Sequence, residues 1–154
     1  MTCDVFALAN VGVQGLHPYQ PGKPIEELQR ELGLDSVVKL ASNENPLGPS
    51  PVALAAAQTA LKQMHLYPDA SGFELKKKLA AKLGVSENQF TLGNGSNDVL
   101  DLIARAFLSA GSSAVFSQHA FIVYPIAVQA AGARAIITPA KNWGHDLVAM
   151  AAAI

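Results

Sequence analysis

The sequence predicts an α/β layered fold with at least some parallel strand pairing, and three observations carry that expectation. From residue 89 onward, short apolar runs at 90–92, 114–117 and 133–138 alternate with helical stretches at 97–109 and 123–131. This is the pattern from which parallel strands and crossover helices are built. At 89–110, QFTLGNGSNDVLDLIARAFLSA, an apolar run turns through two glycines straight into an amphipathic helix. The 154 residues are 50% hydrophobic and 15% charged, the composition of a globular chain with ample apolar surface to bury.

Taken in order, residues 1–50 show little periodicity and many turn formers, Gly12, Gly15, Pro18, Pro21, Gly22 and Pro24 among them, and read as an arm. HPYQPGKP at 17–24 is extended, because each proline fixes its own φ and disfavours the helical region in its predecessor. IEELQREL at 25–32 has helical spacing and stops at Gly33, a suitable C-cap. A brief strand is expected at 37–40, then an ordered loop through SNENPLGPSP. Pro51 opens an alanine-rich helix running to about Met64, a turn follows at 66–71, and GFELKKKLAAKLG places Leu75, Leu79 and Leu83 on one helical face before Gly84. No internal repeat is visible.

Composition excludes several classes of function. A formal net charge of -1, with no like-charge block beyond Lys76 to Lys78, argues against nucleic acid and anionic membrane as partners; the lysine run reads as a solvated helix face. The single cysteine, Cys3, excludes an internal disulfide, and no Cys/His cluster has zinc-site spacing, so no metal is expected. The first sixteen residues carry no Lys or Arg ahead of an apolar segment, and no apolar stretch is long enough to span a bilayer. The expectation is a cytoplasmic protein without a targeting segment. LVAMAAAI at 147–154 reads as the beginning of a helix, so the sequence is expected to be cut off there.

The strand-to-helix turn is where chemistry is expected. Gly93 and Gly95 permit backbone angles closed to other residues, Ser96 or Asn97 is expected to cap the helix, and the N–H groups and dipole at such a mouth favour an anion. A phosphate fits between Gly95 and Asn97. Similar turns also precede helices that bind nothing, and the residues alone leave both readings open. GNGSND lacks the third glycine of the dinucleotide fingerprint, and no Gly-Lys-Ser or Gly-Lys-Thr is present for a P-loop.

Five segments in register then carry a resemblance: GLHPYQPGKP at 15–24, KLASNENPLGPSP at 39–51, LYPDASGFELKKKLA at 66–80, LGNGSNDVLDLIARAF at 92–107 and SQHAFIVYPIAVQAAGA at 117–133. Together they cover almost the whole chain, which resembles the N-terminal part of histidinol-phosphate aminotransferases, fold-type I enzymes dependent on pyridoxal 5′-phosphate (PLP). The resemblance implies an arm and small-domain segment over 1–50 and the first part of the large PLP-binding domain over 51–154. It implies that Gly95, Ser96 and Asn97 cradle the cofactor phosphate. Phe121 falls where the family stacks an aromatic ring on the pyridine; without the family it reads as a core phenylalanine. Tyr67 matches a tyrosine that reaches across a homodimer interface to the partner's cofactor phosphate, and otherwise reads as a turn residue half buried by its ring. Tyr19 and the loop Asn43, Glu44 and Asn45 match the segment that closes over substrate, or else serve packing alone.

The implied partners are a small-molecule amino donor and a 2-oxo acid. The Schiff-base lysine, the aspartate facing the pyridine nitrogen and the substrate-gripping arginine belong to family segments beyond Ile154. None of Lys39, Lys62, Lys76, Lys77, Lys78, Lys82 or Lys141 lies in a match to the family's Schiff-base lysine motif, so no catalytic residue is expected within the chain. Rival expectations are another PLP enzyme of the same fold, such as a threonine-phosphate decarboxylase or an aromatic amino-acid aminotransferase, and a catalytically dead remnant. A nucleotide-binding module is disfavoured, since no acidic residue stands where a ribose needs one.

Overall fold

The computed structural model describes residues 4–154; Cys3 lies outside the described residues. Contacts divide the chain into two units, one comprising the chain up to Tyr19 together with Asn88–Ile154, the other Gln20–Glu87.

The first unit is built on β1 (Ser113–Ser117), α5 (Val123–Ala130) and β2 (Arg134–Thr138). The strands pair in parallel, Ser113 opposite Arg134 through Ser117 opposite Thr138, so the chain crosses over between them and the helix makes that crossing. Gly132 ends α5 in the left-handed region at φ 71. Its N–H donates to the Gln129 carbonyl at 2.8 Å and that of Ala133 to Val128 at 3.1 Å, the paired bonds of a Schellman end. α4 (Ser96–Phe107) packs on α5, and the short α6 (Leu147–Ala152) packs on β1. Ala104, Phe116, Ala127 and Val128 are the buried apolar residues among those described. Ser117 and Thr138 are buried with them at the strand ends, Thr138 Oγ1 donating to the Phe116 carbonyl at 3.4 Å.

The N-terminal segment of this unit is placed by a glycine. At Gly12 a Cβ would collide with the Gln129 carbonyl and stand 2.9 Å from the Gly132 N, so only glycine lets the segment lie against the end of α5. Proximity to backbone rather than to a side chain makes the restriction firm.

The second unit holds α1 (Ile25–Leu32), α2 (Pro51–Ala60) and α3 (Phe73–Leu83), none with a buried residue. Gly33 and Gly84 close α1 and α3 in the left-handed conformation, as the sequence predicts. The start of α3 is organised from upstream: the Asp69 carboxylate accepts from the N–H groups of Ser71 and Phe73, both at 2.9 Å, and from the Ser71 hydroxyl at 2.8 Å. Those donors, Phe73 N–H first, hold the Asp69 carboxyl below its usual 3.8.

Several sequence expectations are corrected. Residues 90–92 and 37–40 form no strand, because an extended run becomes a strand only beside a partner and the sheet described pairs β1 with β2 alone. The alanine-rich helix gives way to a 3₁₀ turn at Leu61–Gln63. α4 starts one residue earlier than expected and ends two earlier, where Leu108 is extended at φ -112, ψ 146.

Candidate functional site: a glycine-led helix mouth and a ring-bearing loop

The N-cap of α4 is Gly95, and no side chain caps it, which corrects the expectation that Ser96 or Asn97 does so. Gly95 stands at φ 79, ψ 177, a region essentially confined to glycine, and no atom lies within 4 Å of where its Cβ would be. The N–H groups of Ser96 and Asn97 have no acceptor among the described residues, and both residues are exposed. Open space, fixed donors and the positive end of a twelve-residue helix suit a phosphate.

Gly93 has a different role from the one its conformation suggested. Its φ is not positive; its lack of a side chain admits Asp98, since a Cβ would lie 2.9 Å from Asp98 Oδ2 and 3.0 Å from Val99 Cγ2. The Asp98 carboxylate reaches back to accept from the Asn94 N–H at 3.0 Å, while the Gly95 N–H turns to the Gly93 carbonyl at 2.8 Å. Asp98 is the third helical residue, the position whose side chain reaches back in a capping box, so a signal for it was present in the sequence.

Phe121 lies on the loop between β1 and α5, at the carboxyl end of the strand, where open α/β sheets place ligands. Phe121 is 47% exposed, which removes the reading of a buried core phenylalanine. It meets the ring of Tyr19 edge-on, with centroids 6.0 Å apart at 64°, and borders a cleft of about 360 Å³ with His119, Tyr124, His145 and Met150. Two residues singled out at opposite ends of the sequence thus come together, a contact that no local pattern announces.

Tyr67 belongs to the second unit and is fully exposed, so the alternative of a half-buried turn residue does not hold. In the same unit the loop residues have local partners: Glu44 accepts from Lys39 Nζ at 2.7 Å. Asn45 Oδ1 accepts from the Leu47 N–H at 3.1 Å, and its Nδ2 donates to the Gly48 carbonyl at 3.2 Å. Ser42 and Asn43 take positive φ, 69° and 52°. The loop is ordered by its own side chains. No group of three or more potential metal ligands occurs among the described residues, and no helix there is long and apolar enough to cross a membrane.

No protein-family model matches the chain. It is 63% identical over 156 residues to histidinol-phosphate aminotransferase 2 of Pseudomonas fluorescens, an alignment covering 100% of this chain and 42% of that relative. With histidinol-phosphate aminotransferase 1 of Thiobacillus denitrificans the identity is 60%, over 99% of this chain and 41% of the relative. In structure it superposes on histidinol-phosphate aminotransferase from Sinorhizobium meliloti, crystallised in complex with pyridoxal-5′-phosphate, with a TM-score of 0.80 and 28% identity over 93% of this chain and 38% of that one. The chain therefore spans about two fifths of the length of the relatives it matches.

A parallel β-α-β unit preceded by a glycine-led helix mouth, superposing on such a structure, defines the class as the N-terminal part of the fold-type I PLP-dependent transferases. Within that class the chain corresponds along its whole length to the N-terminal part of the histidinol-phosphate aminotransferases to which it is similar.

Proposed function

We infer that the protein serves histidinol-phosphate transamination, the conversion of histidinol phosphate and 2-oxoglutarate to imidazole-acetol phosphate and glutamate in L-histidine biosynthesis. The observation that carries this reading is the mouth of α4, where Ser96 and Asn97 offer unpaired N–H donors behind a glycine-only turn, in a chain aligned from end to end with relatives of that name. On this reading Gly95, Ser96 and Asn97 hold the phosphate of PLP and Phe121 covers one face of its ring. Tyr67 reaches the cofactor phosphate of a partner subunit in a homodimer, its complete exposure leaving the phenol available. Tyr19, in edge contact with Phe121, is read as a substrate-facing residue of the first unit, and Asn43, Glu44 and Asn45 are read as substrate-facing residues of the second, for a small amino donor or 2-oxo acid. Residues 1–50 form the arm and small-domain segment, 51–154 the first part of the large domain, and the protein works in the cytoplasm.

When bound, PLP supplies an electron sink. The contribution of this chain is to bind and orient it. A lysine that reacts with a carbonyl needs a lowered pKa, from burial or a cationic neighbour. Lys23 has the opposite, its bond to Glu31 at 2.6 Å raising its pKa, and Lys39 is paired with Glu44. With no match to the Schiff-base lysine motif at Lys39, Lys62, Lys76, Lys77, Lys78, Lys82 or Lys141, the chain by itself is read as cofactor-positioning and inactive in turnover.

The test is PLP retention. Gly95→Ala, strained at φ 79, and Asn97→Pro, which removes one of the backbone N–H donors in the first turn of the helix, should each lower retention on dialysis by roughly tenfold or more, since a hydrogen bond to a charged group contributes about 1.5 to 3 kcal/mol. Equal occupancy in wild type and both variants after equal dialysis removes the phosphate role from this mouth.

A further inference from the structure

Beyond β2 the chain makes a tight turn in which the Lys141 N–H donates to the Gly144 carbonyl at 3.1 Å and the Gly144 N–H returns to Lys141 at 2.9 Å. Both central residues of the turn have positive φ, Asn142 at 51° and Trp143 at 62°. Asparagine adopts that region readily; a bulky aromatic residue there is an outlier, because its Cβ crowds the neighbouring carbonyl. A glycine stands one place later, at 144, where it relieves nothing. Such strain persists only where surrounding contacts fix it. Burial is not the reason, since Trp143 is 87% exposed. What the indole does meet is the His119 ring, stacked at 5.0 Å between centroids with 24° between planes.

His119 sits on the segment that leaves β1 and carries Phe121. Its neighbour Gln118 is tied to the same stretch beyond β2, its N–H donating to the Thr138 carbonyl at 2.8 Å and its Oε1 accepting from the Ala140 N–H at 3.3 Å. The Ala120 N–H then returns to Ser117 at 2.9 Å, and the Phe121 carbonyl accepts from the Tyr124 N–H at 3.0 Å. Hydrogen bonds therefore fix the backbone at Gln118, Ala120 and the Phe121 carbonyl, while the side chain at 119 is held by the indole stack.

We propose that Trp143 is a positioning residue: the strained turn presents its indole as a clasp on His119, and the clasp sets the direction in which the 118–122 segment presents Phe121. The consequence for the cofactor rests on the reading of Phe121 given above; the clasp itself does not.

Trp143 is the sole tryptophan of the chain, so its emission reports the clasp with no cofactor present. In the full chain, His119→Ala should brighten that emission, since a stacked imidazole quenches indole. It should also quicken amide hydrogen exchange across 118–122 by roughly threefold to tenfold, the worth of one aromatic pair, while 113–117 and 134–138 keep their protection. His119→Phe, which retains a ring, should restore that protection. Trp143→Gly separates positioning from stability: it relieves the positive-φ strain and should leave the melting temperature level or higher while still loosening 118–122. Unchanged exchange at 118–122 in His119→Ala and Trp143→Gly, or equal loosening of both strands, overturns the clasp. These readouts contain no PLP, so their failure leaves the dialysis result standing, and failure of PLP to bind leaves them readable.

Discussion

At Gly93 the missing methyl group matters more than conformational freedom. A Cβ there meets the Asp98 carboxylate and a methyl of Val99, both held by the first turn of α4. Gly93→Ala should therefore break the Asp98 bond to Asn94 and lower stability by about 1 to 3 kcal/mol, the usual cost of forcing atoms into filled space. Thermal unfolding of the two chains measures it, and an unshifted midpoint would show that the turn relaxes freely. Phe121 makes a contrasting case, because it is half exposed and its value is argued to lie in a ring face offered to a ligand. Phe121→Tyr should be nearly silent in PLP retention. Phe121→Ala should lose roughly 0.5 to 1.5 kcal/mol of cofactor affinity, the range of a ring-on-ring contact, read by the same dialysis.

Among the elements, α3 depends on a residue outside it. Asp69 lies four positions before Phe73 yet accepts from its N–H, so the charged carboxylate does the work that a capping side chain at Gly72 cannot. These donors depress the Asp69 pKa in the fold, so its contribution is complete above the ordinary value of 3.8 and is lost as pH falls below that toward the folded pKa. Helical signal should accordingly decline on acidification below about pH 4 in the wild type. In Asp69→Ala it should be lower at neutral pH and lack that acid step, and a step of equal size in both chains would assign it to other carboxylates. The sequence made 66–71 a turn but gave no sign that the aspartate within it reaches forward to the next helix.

For the molecule, exposed apolar surface outweighs the buried core. In the first unit an apolar hollow of about 190 Å³, lined by Leu100, Ile103, Phe107, Val115 and Tyr124 among others, opens beside β1, while Phe107 is 77% exposed. In the second, Leu40 and Leu47 are nearly bare. Surface of this kind seeks cover, from more polypeptide or from another copy. The isolated chain should therefore bind an apolar dye and self-associate as concentration rises, with light scattering to measure it; a dye-silent monomer at every concentration would contradict the exposure described. Reduction with borohydride in the presence of PLP should label several exposed lysines diffusely. One stoichiometric lysine would locate a reactive amine that the pairing of Lys23 and Lys39 gives no reason to expect.

Local chemistry decided much of this protein before any tertiary contact. Prolines and glycines set the turns, Gly33 and Gly84 closed their helices in the left-handed conformation, and the α/β alternation after residue 110 produced β1, α5 and β2 close to their expected bounds, because these signals act within a few residues. The glycine-led mouth of α4 was legible for the same reason. Tertiary structure alone decided that 90–92 and 37–40 are not strands, since an extended run has no way of carrying in its own residues the presence of a partner. It also decided that Gly12 lies against the end of α5, that Tyr19 meets Phe121, and that Trp143 accepts a strained backbone to stack on His119. Each of those contacts joins residues more than twenty positions apart, where periodicity and propensity are silent and only the folded chain brings the atoms together.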